Sequence, residues 1–151
     1  SVRILFYAVA SFTDILHISS FEGESGLLLE QYVDETITDV FPFYIKDGII
    51  DLEAMIQAMI EKEDKKEIIS IFFNTLIEII FHIASDYPAL PLLFSGGVFQ
   101  NKVLVRKISK RCMNEKRTYH FQNEIPINDG GISLGQAWYA LHHISSQDRY
   151  L

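Results

Sequence analysis

The sequence predicts a helix-rich α/β domain with few, short strands. Three observations carry that prediction. Leu52, Met55, Ile56, Met59 and Ile60 fall at i, i+3, i+4, i+7 and i+8, an amphipathic helical stripe. From Ile68 to Ala84 apolar residues occur almost all round the helix, the pattern of a helix buried on most sides. In the last third a short apolar strand, a helix, a second strand and a final helix follow one another. That order implies a parallel pair of strands joined by a crossover.

The elements follow in order. A first helix is expected from Arg3 to about Ile18. Arg3, the apolar run Ile4 to Ala10 and Ser11 also outline a signal peptide with an Ala-Val-Ala cleavage site, but the run is short and one Arg is a thin positive region. A second helix is expected over Ser25 to about Asp34, opened by a turn at Gly23. Thr36 to Ile50 has β-leaning composition, and Lys46-Asp47-Gly48 is a turn signal for a hairpin. Asp51 is the expected cap of the striped helix. The charged run Glu61 to Glu67 reads as a solvated helix connection, with Asp64 and Glu67 in the spacing of a capping box. Tyr87-Pro88 ends the long apolar helix, because a residue before Pro is pushed out of the helical region. Leu90 to Phe94 does not alternate and is expected to be a strand buried on both faces. A helix is then expected over Phe99 to Met113, a strand over Arg117 to Phe121, and a last helix over Ile132 to about Ile144.

Composition narrows the function classes. The 151 residues suit one domain, expected over 1–151, and 48% hydrophobic residues exclude a disordered tail. Thirteen basic against 20 acidic residues leave a net charge of −7, a poor balance for neutralising nucleic-acid phosphates. The single cysteine, Cys112, excludes a disulfide framework and a CxxC metal knuckle, and it is expected in the core. The best apolar run, Leu76 to Ala84, is broken by Glu78 and His82, so no membrane partner is expected. The first residue is Ser1, not Met, which reads as a piece of something longer.

Two glycine turns are the candidates for chemistry. Ser95-Gly96-Gly97 joins a strand to a helix, where glycines let backbone N–H groups approach a ligand and a helix start favours an anion. It lacks the Lys-Ser/Thr of a phosphate-binding P-loop and the spacing of the dinucleotide fingerprint. Asn128-Asp129-Gly130-Gly131 also precedes a helix. Asp129 is either an N-cap or a carboxylate for a hard cation, and the two turns together suit a clamp on one phosphorylated ligand. Seven of the 13 basic residues lie between Lys102 and Arg117, either the wet face of a helix or a patch facing an anion or partner. His142 and His143 diverge by about 100° on a helix and do not converge on a metal. His17, His82 and His120 have no ligand spacing.

Ser95 to Asn101 (SGGVFQN) and Pro126 to Ala137 (PINDGGISLGQA), at this separation, resemble the C-terminal part of the HypF family of hydrogenase-maturation carbamoyltransferases. Softer similarities extend this over about residues 1–143. Arg3 to Ala10 is similar to the family's GR-x-FDAVA segment, Phe21-Glu22-Gly23-Glu24 to its Tyr/Trp-Glu-Gly turn, and Phe72-Phe73-Asn74-Thr75-Leu76 to its F-H-N-T-L helix. The tail from Ile144 to Leu151 is unplaced.

The resemblance implies the second lobe of an actin-like (ribonuclease-H-like) ATPase fold, helix-rich with a small mixed sheet, in a cytoplasmic protein of several domains. It implies a reaction in which carbamoyl phosphate and ATP yield carbamoyl-adenylate, whose carbamoyl group passes to the C-terminal cysteine of HypE. Gly96, Gly97 and Asn101 match the nucleotide-contacting strand–loop–helix, and Ser95, Gly23 and Gly130 complete the expected nucleotide set. Asp129 matches a carboxylate ligand of a divalent metal. Catalytic residues stay unassigned, and the family's metal-binding histidines, its zinc fingers with their zinc, and its carbamoyl-phosphate-activating domains have no counterpart in this sequence. Tyr7 stands where the family has Asp, a departure that bears on ribose contact. Two other readings stay open: a lobe similar to the tRNA threonylcarbamoyladenosine synthases (TsaD), and an interaction domain without catalysis.

Overall fold

Residues 2–122 and 124–143 are described by the computed structural model of the chain. The order is α1 (Val2–Phe12), α2 (Glu24–Leu29), a 3-10 turn (Glu30–Tyr32), β1 (Tyr44–Lys46), β2 (Ile49–Asp51), α3 (Glu53–Ile60) and α4 (Lys65–Ser85). Then come β3 (Leu92–Phe94), a 3-10 turn (Gly97–Gln100), α5 (Lys102–Asn114), β4 (Tyr119–Phe121), a 3-10 turn (Asp129–Gly131) and α6 (Ile132–His143).

The all-round apolar pattern makes α4 the axis of the core. Ile69, Ile71, Phe72 and Phe73 are fully enclosed, and Leu29, Met55, Leu104, Ile108 and Cys112 pack in the same cluster. Phe6 of α1 meets Phe72 and Phe73 edge-on, with ring centroids 5.3 and 5.5 Å apart. By length and composition α4 could cross a membrane, as no uninterrupted run in the sequence suggested, yet 67% of its apolar window is buried inside the protein. The Asp64 carboxylate caps it, accepting from Glu67 N at 2.7 Å. The capping box is half made, because the Glu67 carboxylate turns to Lys62 instead.

Several boundaries differ from the sequence expectation, each for a local reason. The first helix stops at Phe12, not Ile18. Asp14 takes φ 54° and the N–H groups of Ile15 and Leu16 fold back to Ala10 O at 2.9 and 3.1 Å, a left-handed helix end without glycine. The second helix is α2 plus a 3-10 turn and ends at Tyr32. The hairpin forms in antiparallel register, Tyr44 opposite Asp51 and Lys46 opposite Ile49. Asp51 does not occupy the cap position, which is Leu52, but its carboxylate still accepts from Glu53 N at 2.9 Å. On α3 only Met55 and Met59 are buried; Ile56 and Ile60 are open to solvent. The chain from 36 to 43 makes no strand, because side chains of α4 take its backbone groups.

The expected buried strand is shorter and half open. β3 pairs in parallel with β4 alone, Leu92 opposite Tyr119 and Phe94 opposite Phe121. Among the described residues no further strand pairs with it, and Leu93 is 75% exposed while Phe94 is buried. Parallel and antiparallel pairings both occur, in two separate two-stranded sheets. α5 begins at Lys102 rather than Phe99, after the 3-10 turn, and buries Val103, Leu104 and Ile108 together with Cys112, the one residue of this helix expected in the core. Burial pushes the Cys112 thiol up from its ordinary range. α6 runs from Ile132 to His143 and buries none of its residues; Ile144 lies outside the described residues.

Candidate functional site

The Gly-Gly turn after β3 is built by aromatic packing beneath it and hydrogen bonds beside it. Phe94 stacks on Phe121 with centroids 4.9 Å apart, and Phe99 closes on both rings at 5.2 and 5.7 Å. These contacts tie the strand ends to the loop between them. Gly96 takes φ 109°, which an L side chain rarely adopts, and its N–H donates to Ile127 O at 3.0 Å. Ser95 Oγ donates to Gln122 Oε1 at 3.1 Å. Ser95 and Gly96 therefore fasten this turn to the 122–127 segment. The N–H groups of Gly97 and Val98 open the 3-10 turn and have no acceptor among the described residues.

The second turn divides its tasks between neighbours. Asn128 Oδ1, not Asp129, caps the 3-10 turn, accepting from Gly130 N at 3.0 Å, while Asn128 O accepts from Gly131 N at 3.0 Å. Both glycine N–H groups are thus already bonded. The Asp129 carboxylate is exposed and has no hydrogen-bond or ion-pair partner among the described residues.

Between these turns and the first two helices lies a cleft of about 860 Å³. Gly23, Gly97, Asn101, Asp129 and Gly130 line it, five of the seven residues expected there; Ser95 and Gly96 do not. Asn101 is buried, with both ends of its amide engaged: Oδ1 accepts from Leu104 N at 2.9 Å and Nδ2 donates to Gly26 O at 2.9 Å. It caps α5 and fixes α2 to it, so its contribution to the cleft is to set the spacing of the walls. Ser20 N–H and Oγ donate to the Glu24 carboxylate at 2.6 and 2.9 Å, which holds that carboxyl below its usual range and steadies the turn bearing Gly23.

Arg3 and Glu22 pair on the cleft wall; both lie in segments that carry the family resemblance, but 19 residues separate them and nothing in the sequence marks them as a pair. Tyr7 is half-buried on α1 and does not line the cleft. No cluster of three or more His, Cys, Asp or Glu side chains suited to a metal occurs among the described residues. One unengaged carboxylate is too few to hold a hard cation, which takes six or more oxygen donors, so the described residues do not by themselves make a metal centre. What the arrangement offers is a wide cleft with the Arg3–Glu22 ion pair on one side, free backbone donors on another and an unengaged carboxylate at its edge.

Residues 2–136 match the family described as carbamoyltransferase, Kae1-like domain, second subdomain. The chain belongs to that family. The HypF carbamoyltransferase of Synechocystis sp. is 26% identical over 143 residues, covering 90% of this chain and 19% of that protein. The HypF of Rhizobium leguminosarum bv. viciae is 25% identical, covering 97% of this chain and 20% of its own length. A full-length HypF solved in a phosphate- and nucleotide-bound form superposes with TM-score 0.82 at 27% identity, over 93% of this chain and 24% of that one. The HypF of T. kodakarensis superposes with TM-score 0.75 at 20% identity, over 95% of this chain and 20% of that one, a likeness of fold. This Kae1-like subdomain is thus a lobe of the actin-like fold, and it spans about a fifth of the length of the curated relatives it matches.

Proposed function

We propose that this chain is the second lobe of a HypF-type carbamoyltransferase and supplies half of its nucleotide site. The observation that carries the proposal is the convergence of the Gly97 turn, Gly23 and an unengaged Asp129 on one cleft in a chain of this family. In this reading the preceding lobe closes the cleft, as part of a longer cytoplasmic protein.

The roles follow from the local chemistry. The free N–H groups of Gly97 and Val98 donate to phosphate oxygens of ATP or of the carbamoyl-adenylate formed from it with carbamoyl phosphate. Arg3, held by Glu22 on the cleft wall, offers a guanidinium that can turn from that carboxylate to a phosphate. Asp129 is one oxygen ligand of a divalent cation whose other ligands come from outside this chain; the ion, when bound, would offset negative charge on the phosphates. The thiolate of the C-terminal cysteine of HypE would then attack the carbamoyl carbon, forming a C–S bond as the C–O bond to the adenylate breaks and AMP leaves. Asn101, Ser95 and Gly96 act by holding the walls in register rather than by touching the nucleotide.

The test is Asp129→Asn in the full-length protein. Because Asn128 supplies the cap, the substitution leaves the local hydrogen bonds intact, and the melting temperature is expected to stay unchanged. Removing the anionic oxygen is expected to lower carbamoyl transfer to HypE at least about a hundredfold, the scale of losing one charge-stabilising group. An undiminished transfer rate would rule out the metal role of Asp129.

A further inference from the structure

The basic stretch between Lys102 and Arg117 is not simply a wet helix face. Four of its cations, Arg106, Lys107, Lys110 and Arg111, sit at successive turns on one side of α5 and form a wall of a second groove, of about 530 Å³. The 35–40 segment and α4 provide the rest, and the groove shares no lining residue with the cleft of Asp129.

The four cations are not equivalent. Arg106 pairs with Glu35 and Arg111 with Glu78 and Glu115. Lys107 and Lys110 have no carboxylate partner among the described residues. Lys107 Nζ is half-buried and donates to a neutral acceptor, Asn74 Oδ1, at 2.8 Å. Asn74 is itself fixed, donating to Ile37 O and Asp39 O at 3.0 Å each. Burial works against the charge of this ammonium, and Arg106 and Lys110 add to that, while the Glu35 carboxylate nearby offsets it in part without pairing with it. Ile37, Val40 and Ile77 add apolar surface to the same groove.

We propose that this groove docks an acidic, partly apolar peptide segment of a partner protein, whose carboxylates pair with Lys107 and Lys110. The two lysines are one helical turn apart, so they suit two acidic side chains at similar spacing. Charge selects the occupant. The chain carries −7 overall, so an acidic partner is repelled elsewhere and oriented onto this strip. Glu35 and Glu78 within the groove oppose the continuous phosphates of a nucleic acid.

The experiment uses the intact protein and a fluorescent peptide of alternating glutamate and leucine, followed by anisotropy. A glutamine–leucine peptide and a single-stranded oligouridine are the comparison probes. The glutamate peptide is expected to bind, and to weaken with added salt. Lys107→Gln with Lys110→Gln should reduce its affinity about tenfold, the sum of two modest ion pairs. Glu35→Gln releases Arg106 and should tighten binding, a gain that a damaged fold would not give. Lys116→Gln, outside the groove, should change nothing. Equal binding of the glutamine peptide, preference for oligouridine, or indifference to both the lysine and the Glu35 changes would overturn the proposal.

Discussion

Asn128 and Asp129 are residue types that cap a helix start about equally well, so their order in sequence does not say which one does it. The backbone decides. Asn128 precedes the 3-10 turn in extended conformation and places Oδ1 on Gly130 N, which leaves the neighbouring carboxylate unengaged. The glycines beside them also differ in kind. A Cβ built on Gly131 would stand 2.6 Å from Pro126 O, a backbone atom that cannot swing away, whereas one on Gly97 meets only Asn128 Cβ at 3.9 Å. Gly131→Ala should therefore destabilise the protein by about 1–3 kcal/mol, the cost of overpacking a fixed contact. Gly97→Ala should leave the melt unchanged and weaken nucleotide binding by the full-length protein, since its methyl points at the space a phosphate would use. Paired melting and binding curves separate the two. A Gly97→Ala protein that melts early but binds normally would make that glycine structural.

At the scale of elements, the helices were legible because their periodicity is local. The stripe of α3, the all-round pattern of α4 and the buried face of α5 stand in the order of residues. The end of α1 was not legible, because Asp14 takes a left-handed conformation with no glycine to announce it. The 36–43 segment was misleading for a different reason. Its β-leaning residues make no strand because α4 offers polar side chains in place of a neighbouring strand. Asn74 Nδ2 donates to Ile37 O and Asp39 O at 3.0 Å each, and Thr75 Oγ1 accepts from Phe41 N at 2.9 Å and donates to Ile71 O; just ahead of the segment, Ser70 Oγ accepts from Asp34 N at 2.8 Å and donates to Lys66 O. Both hydroxyls lie in an otherwise apolar helix, a sequence signal that points to such a bond. Thr75→Val keeps the shape and removes the acceptor, stranding the buried Phe41 N–H. A loss of about 1–3 kcal/mol in a denaturant melt is expected. A neutral result would mean that the segment finds another acceptor when it relaxes.

At the scale of the whole molecule, the core and the last helix stand in contrast. The α4 core is enclosed and the hairpin edge is short. By contrast Leu93 on β3 and Ile132, Leu134, Trp138, Tyr139 and Leu141 on α6 are exposed, with Leu141 at 77%. A helix apolar on most sides is normally buried, and exposed apolar surface of this extent marks an interaction site. The sequence made the helix legible but not its exposure, because the pattern along one helix does not say which other elements pack on it. In the lobe reading the neighbour is the first subdomain, which would also complete the cleft. Trp138 makes this measurable, being the only tryptophan among the 151 residues and 58% exposed. The chain alone should show red, readily quenched Trp138 emission and weak binding of ATP with magnesium by calorimetry. Adding a separately produced first lobe, with its own tryptophans replaced by phenylalanine, should shift that emission to the blue, protect it from acrylamide and strengthen ATP binding. Trp138→Ser should weaken the association of the lobes without unfolding this one, because α6 buries nothing against its own core. Unchanged emission on mixing, or tight ATP binding by the chain alone, would mean that the cleft is complete without a second lobe and that α6 faces something else.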